Sequence, residues 1–264
     1  MQKTVLSCLL LVLAGCASVP SGKPDPRDPW ERFNRSVFNF NDVLDRAIAK
    51  PVAKGYVKVT PRVVRTGISY AYSNLDTVPT IINDVLQGKI RQAGHDSARF
   101  LMNSTLGLGG LFDPASAAGL DSNDEDLGQT LGKWGVKSGP YLMLPVLGPS
   151  SARDAFSRAA DTFLEPVWYL EDDSTRYLIR LGDLLDQRAS LLELDAQLER
   201  SYDRYAFIRN AWIQRREYQV KDGNVDDQSQ ELEEEFKDDP DEAAPDAVPP
   251  PTPADPAQTP PPPK

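Results

Sequence analysis

From Trp30 onward the apolar positions fall at Trp30, Phe33, Val37, Phe40, Leu44 and Ala47, spacings of three and four that trace one face of a helix. Asp28 and Pro29 stand just before them, an N-cap residue followed by proline at the first helical position. The other side carries Arg32, Arg35, Asn39, Asp42 and Arg46. Such a helix has two readings, one packed on a core and one lying in a membrane interface with its basic residues toward headgroups. Further helical segments are predicted at about 51–58, 61–73, 78–87 and 89–105, each punctuated by proline or glycine and too short to stand alone. The texture then changes, with nine of the seventeen glycines inside 107–148. Asp113-Pro114 opens a short turn of helix, 124–132 forms another, and GPYLMLPVLGPS at 139–150 is an apolar extended run. Pro145 inside that run argues against a central strand, leaving an irregular buried segment or a membrane-facing one. Helices resume with Ser150 as N-cap, then at about 174–201, with Leu178, Leu181, Leu185, Leu192 and Leu198, and at about 203–219, with Phe207, Trp212, Ile213 and Tyr218. There is no internal repeat. The pattern predicts one mostly α-helical domain over 28–220.

The ends of the chain follow other rules. Lys3, the apolar run 5–13 and Leu13-Ala14-Gly15-Cys16 form a lipoprotein signal peptide, 1–15, with Cys16 as the residue that receives covalent lipid. The run is shorter than the roughly 20 apolar residues a spanning helix needs. Residues 16–27 then read as a tether, and Ala17 after the cysteine favours the outer membrane over retention in the inner one. The only other cysteine, Cys8, leaves with the signal, so neither a disulfide framework nor a cysteine metal site is available. Net charge is −10, but 222–264 alone holds 13 acidic and 2 basic residues, with 11 of the 23 prolines. That composition predicts a disordered acidic, proline-rich tail over 221–264 and a body close to neutral. Neither part offers the basic field that a nucleic-acid partner requires.

Candidate chemistry is sparse. NSTLGLGGLFDPASAAGL, 103–120, has the glycines of a phosphate-binding loop, but Phe112 stands where a dinucleotide fingerprint needs its third glycine. Leu111 and Phe112 likewise follow Gly110 where a P-loop needs lysine and a hydroxyl residue. His95 is the single histidine, next to Asp96 and Ser97, and no GxSxG motif marks a nucleophile, so a solvent-exposed or capped histidine is the better reading. Asp121, Asp124, Glu125 and Asp126 cluster without EF-hand spacing and read more simply as helix caps in a solvated loop. The expectation is therefore no catalytic residue, no metal and no cofactor beyond the lipid on Cys16.

Several segments together resemble the MlaA (VacJ) family of outer-membrane lipoproteins: DPWERFNRSVFNFNDVLDR (28–46), PRVVRTGISYAYSNLDTVPTIINDVLQGK (61–89), RFLMNSTLGLGGLFDPAS (99–116), EDLGQTLGKWGVKSGPYLMLPVLGPSSARD (125–154) and RASLLELD (188–195). The resemblance implies a ring-like domain of short amphipathic helices embedded in one leaflet of the outer membrane, with a central amphipathic channel. It implies association with a trimeric porin, transport of phospholipids out of the outer leaflet, and delivery to a soluble periplasmic lipid carrier, without covalent chemistry. A headgroup needs a polar path while acyl chains stay in lipid, so the wall of such a channel must be polar inside and apolar outside. Asn39, Phe40 and Asn41, with Asn103, Gly107, Gly109 and Gly110 of the glycine loop, are the expected conduit residues.

Overall fold

The structure, a computed structural model, describes residues 25–224; the signal segment, Cys16, most of the tether and nearly all of the tail lie outside the described residues. Helix α1, Glu31–Leu44, runs through a π-helical turn, Asp45–Ala49, into α2, Lys50–Val59. It starts later than predicted, because Asp28 does not cap it. That carboxylate is fully buried and accepts from Asn34 Nδ2 at 2.7 Å, from Arg209 Nη1 at 3.2 Å and from the Tyr205 hydroxyl. Three side-chain donors, one of them charged, outcompete a single orphan backbone amide.

The two helices expected at 61–73 and 78–87 are one, α3, Arg62–Leu86, with Pro79 inside it. An internal proline costs a helix about 3 kcal/mol. Here α3 packs on α4, Ile90–Thr105, and on two further helices, Leu127–Lys133 and Asp173–Ser190, so tertiary contact outweighs the local preference. Thr77 and Thr80 also return their hydroxyls to the carbonyls of Ser73 (2.9 Å) and Asp76 (3.0 Å), one turn back along the same helix.

Asp113 caps the single-turn α5, Pro114–Ala117, as expected, and Asp126 caps α6, Leu127–Lys133. The run at 139–150 departs from both readings. It is a hairpin, β1 (Tyr141–Leu144) antiparallel to β2 (Gly148–Ser151), with Tyr141 opposite Ser151 and Leu144 opposite Gly148. Pro145 falls in the turn and removes nothing from the ladder. Ser150, expected as an N-cap, is buried in β2, and Ser151 caps α7, Ala152–Asp161, instead.

After a 3₁₀ turn at Pro166–Tyr169 comes α8, Asp173–Ser190. The helix predicted to continue to 201 breaks at a second 3₁₀ turn, Leu191–Glu193, before α9, Asp195–Arg200. The break turns Asp195 back onto Arg188 (3.1 Å) and Lys50 (3.0 Å), while Arg188 also binds Asp45 of the π turn at 2.6 Å. Helix α10, Arg204–Val220, capped by Asp203, completes the described chain.

Contacts between these elements close on themselves. From α1 they pass through the π turn to α2, then to α8, α3, α6, α7 and the hairpin, which packs back on α1. The body is ring-like, and its apolar core is correspondingly small. Val37, Tyr141, Met143, Tyr205 and Ile213 form one cluster joining α1, β1 and α10, with edge-to-face contacts between Tyr141 and Tyr205 (6.2 Å) and Tyr141 and Trp212 (5.7 Å). Among the described residues, ten hydrophobic residues are buried against twenty polar or charged ones, whereas 36 large hydrophobics are exposed. A water-soluble domain would show the reverse.

Candidate functional site

The polar residues that are enclosed without being sealed define the site. Asp76, in the middle of α3, is open to solvent, yet protein surrounds it densely enough to push its pKa up to about 7. Burial is the main cause, followed by the fields of Asp183 on α8, Glu165 ahead of the first 3₁₀ turn, and Asp124 in the 121–126 loop. Asp124 behaves in the same way, exposed by surface and raised mainly by enclosure. Asp183 and Glu165 are also raised by burial, the latter held by Arg180 Nη2 at 2.8 Å. Asp161, at the end of α7, is pushed up to about 6 by burial, although it accepts from the Leu127 amide at 3.0 Å. Tyr72 is raised first by burial and then by Asp183 and Asp186. Carboxyls from four separate segments, Asp76, Asp183, Glu165 and Asp124, are therefore enclosed together and sense one another's charge.

The outer surface is the opposite. Val59, Val63, Leu106, Leu108, Phe156 and Leu178 each expose 66–81% of their area, and Phe163, Trp168 and Tyr169 add an aromatic patch. Among the described residues, no helix is long and apolar enough to cross a membrane. The apolar stripe of α1 divides: Val37 enters the core, while Trp30, Phe33 and Phe40 remain exposed, as the interfacial reading requires.

The conduit residues expected from the sequence fall in two places, and none belongs to the group of coupled acids, whereas Asp124, expected in a solvated helix-capping loop, does. Asn39 and Phe40 lie exposed on α1. Asn41 clamps the hairpin tip, donating to the Leu144 carbonyl at 2.9 Å and accepting from the Val146 amide at 2.8 Å. Val146 sits at φ +67°, a backbone conformation costly for a β-branched residue, and Asn41 holds it there. Asn103 is buried and spends its amide on Asp113 Oδ1 (3.0 Å) and the Ala115 amide (3.1 Å). Arg99 completes that knot, donating to Asp113 (2.7 Å), Ser116 (2.9 Å) and the Leu120 carbonyl (2.6 Å). The amides of Gly107, Gly109 and Gly110 all donate to carbonyls at the end of α4, so they do not point at a phosphate. Gly107 and Gly110 are buried against the chain; Gly109 lies at the surface with Leu106, Leu108, Leu111 and Phe112 exposed around it. His95 is half-buried with Nδ1 3.6 Å from Asp96, and Asp126, Glu125 and Asp124 serve as a helix cap, a Lys89 partner and one of the enclosed acids.

Asp76, Asp161, Glu165 and Asp183 were not singled out from sequence. One signal for Asp76 was present, a carboxylate within the otherwise apolar and neutral 67–83 stretch of a helix. The others look like ordinary solvated charges until the ring brings them together.

This geometry agrees with comparisons to known proteins. The profile of the MlaA lipoprotein family matches residues 26–219. The chain is 34% identical over 249 residues to the intermembrane phospholipid transport system lipoprotein MlaA of Escherichia coli, covering 90% of this chain and 98% of that one. It is 31% identical to the protein of the same name from Haemophilus influenzae, over 89% and 97% of the two chains. An uncharacterized protein of Rickettsia conorii is 39% identical over 74% of this chain and 78% of its own. A structure solved in work on the structural basis for maintenance of bacterial outer membrane lipid asymmetry superposes with a TM-score of 0.65 at 36% identity, over 73% of this chain and 98% of that one. With most of its length matched by the family profile and by relatives of full length, this chain belongs to the MlaA lipoprotein family.

Proposed function

We propose that this protein is a phospholipid transport lipoprotein that maintains outer-membrane lipid asymmetry: it sits in one leaflet of the outer membrane, takes phospholipids mislocalised in the outer leaflet, and passes them to a soluble periplasmic carrier. The observation that carries this reading is the inversion of polarity, with acids from four segments enclosed together, which we take as the lining of a passage, and large apolar side chains exposed. A headgroup crossing hydrocarbon unpaired is penalised by several kcal/mol, and a water-lined polar path removes that penalty while acyl chains remain against apolar protein or lipid. Because Asp76 ionises near neutrality, part of the passage's negative charge is cancelled by protons at neutral pH, which lowers its repulsion of a lipid phosphate. The lipid on Cys16 anchors the protein at the periplasmic face, and a trimeric porin gives the ring access to the outer leaflet. The reading includes no bond-making step, no cofactor and no metal.

The test is outer-leaflet phospholipid exposure in cells lacking only this gene. Exposure and detergent sensitivity are expected to rise and to be restored by the native gene. A gene carrying Asp76→Lys and Asp183→Lys should reach native membrane levels and fail to restore asymmetry, because two cations then sit in the passage. Normal asymmetry in the deletion strain would show a structural or adhesive surface lipoprotein instead, and full rescue by the doubly reversed protein would remove the passage from the mechanism.

A further inference from the structure

Beside the passage lies a cluster that the transport reading does not use. Asp84 on α3 and Asp96 on α4 are 0% and 1% exposed, and one amide nitrogen reaches a carboxylate oxygen of each. Asn123 Nδ2 bridges them, donating to Asp84 Oδ1 and to Asp96 Oδ2 at 3.3 Å each, and Gln92 Nε2 adds a donor to Asp96 Oδ2 at 3.1 Å. The remaining two oxygens, Asp84 Oδ2 and Asp96 Oδ1, are buried and have no donor. His95 Nδ1, 3.6 Å from Asp96 Oδ1, is beyond hydrogen-bond range. The other charged groups facing the pair are Lys89, from the α3–α4 turn, and Glu125, from the 121–126 loop, and these are occupied with each other at 2.7 Å, Lys89 also holding Asp222.

Two carboxylates held on one amide nitrogen, out of water and without a cation bonded to either, repel when both are charged, and a proton on one of them removes that repulsion. We propose that Asp84 holds a proton at neutral pH, and that this proton is a latch fastening the 121–126 loop to α3 and α4 through Asn123. One amide group bridges both carboxyls, so it reads their separation directly. When the proton leaves, two buried negative charges repel, the bridge through Asn123 fails, and Asp124, the next residue, loses its fixed place in the passage. Solvent reaches the latch from a cavity of about 900 Å³ lined in part by Lys89, Gln92, His95 and Asn123. The pKa of Asp84, pushed up to about 7 by burial first and by Asp96 second, sets the range in which the latch works.

Hydrogen exchange of the intact protein in lipid nanodiscs tests this, read at 121–126 and corrected for the intrinsic pH dependence of exchange. Protection of the loop is expected to fall about tenfold between about pH 6 and about pH 8.5. Asp84→Asn keeps a donor facing Asp96 and cannot ionise, so its loop should remain protected across the range; Asp96→Asn should do the same and serves if the first variant does not fold. Flat protection in the native protein overturns the proposal without any variant, and an undiminished pH response in a folded variant overturns it as well. The readout is the loop and not lipid transport, so its failure leaves the transport reading standing.

Discussion

Asp28→Ala is expected to destabilise the protein by about 3–5 kcal/mol, the range for removing one partner from a buried charged pair. The side chain is 1% exposed and holds three elements at once: Asn34 of α1, and Tyr205 and Arg209 of α10, with Asn34 in turn bound to the Tyr141 carbonyl (3.0 Å) and the Met143 amide (2.9 Å) of β1. Alanine leaves the Arg209 guanidinium with Asp25 at 3.3 Å and Glu31 at 3.8 Å, both more exposed and less well placed. It also strands the Tyr205 hydroxyl, whose ionisation is already opposed by burial and by Asp28. Denaturant unfolding at pH 7 measures the loss. Asp28→Asn, which keeps an acceptor for two of the three donors, should lose about half as much. An Asp28→Ala protein within about 1 kcal/mol of native stability would show that the small aromatic cluster alone joins α1 to α10.

The same residue shows where sequence reading succeeds and where it stops. Asp28-Pro29 ahead of an amphipathic run is a sound N-terminus signal, and a helix does follow, two residues late. What the signal does not contain is α10, 177 residues away in the chain at Tyr205, which offers the carboxylate better partners than the helix end. Pro79 is the same lesson in reverse: a local breaker overruled by packing on both sides of α3. Helical class, the short turns opened by Asp113 and by the acidic loop at Asp126, and the apolar stripe of the first helix were legible because they depend on neighbours within a turn or two. The passage was not, because Asp76, Asp124, Glu165 and Asp183 meet only when the ring closes, and each alone resembles any solvated acid. Asn41 and Asn103 were legible as unusual but not in role: their amides hold backbone at a hairpin tip and at the loop after α4.

Gly107→Ala and Gly109→Ala, two positions apart in one motif, are expected to differ sharply. A Cβ on Gly107 would lie 2.4 Å from the carbonyl oxygens of both Asn103 and Phe112, and 3.0 Å from the Asn103 Cα. All three are backbone atoms, so no side chain can swing away, and the α4 terminus and the loop must separate. The cost is expected at about 3 kcal/mol or more, the upper end for overpacking. Separation also breaks the Phe112 amide to Gly107 carbonyl bond (2.9 Å) and loosens the Arg99, Asn103 and Asp113 knot beneath it. At Gly109 an added Cβ meets nothing within 4 Å, and the penalty is only that of φ +72°, about 1 kcal/mol. In cells, at matched membrane levels, Gly107→Ala should raise outer-leaflet phospholipid exposure toward that of the deletion strain, while Gly109→Ala should stay near native. Equal behaviour would mean that the close approach at Gly107 is relieved elsewhere, and that the glycines act through the flexibility of the loop instead of through the contact one of them permits.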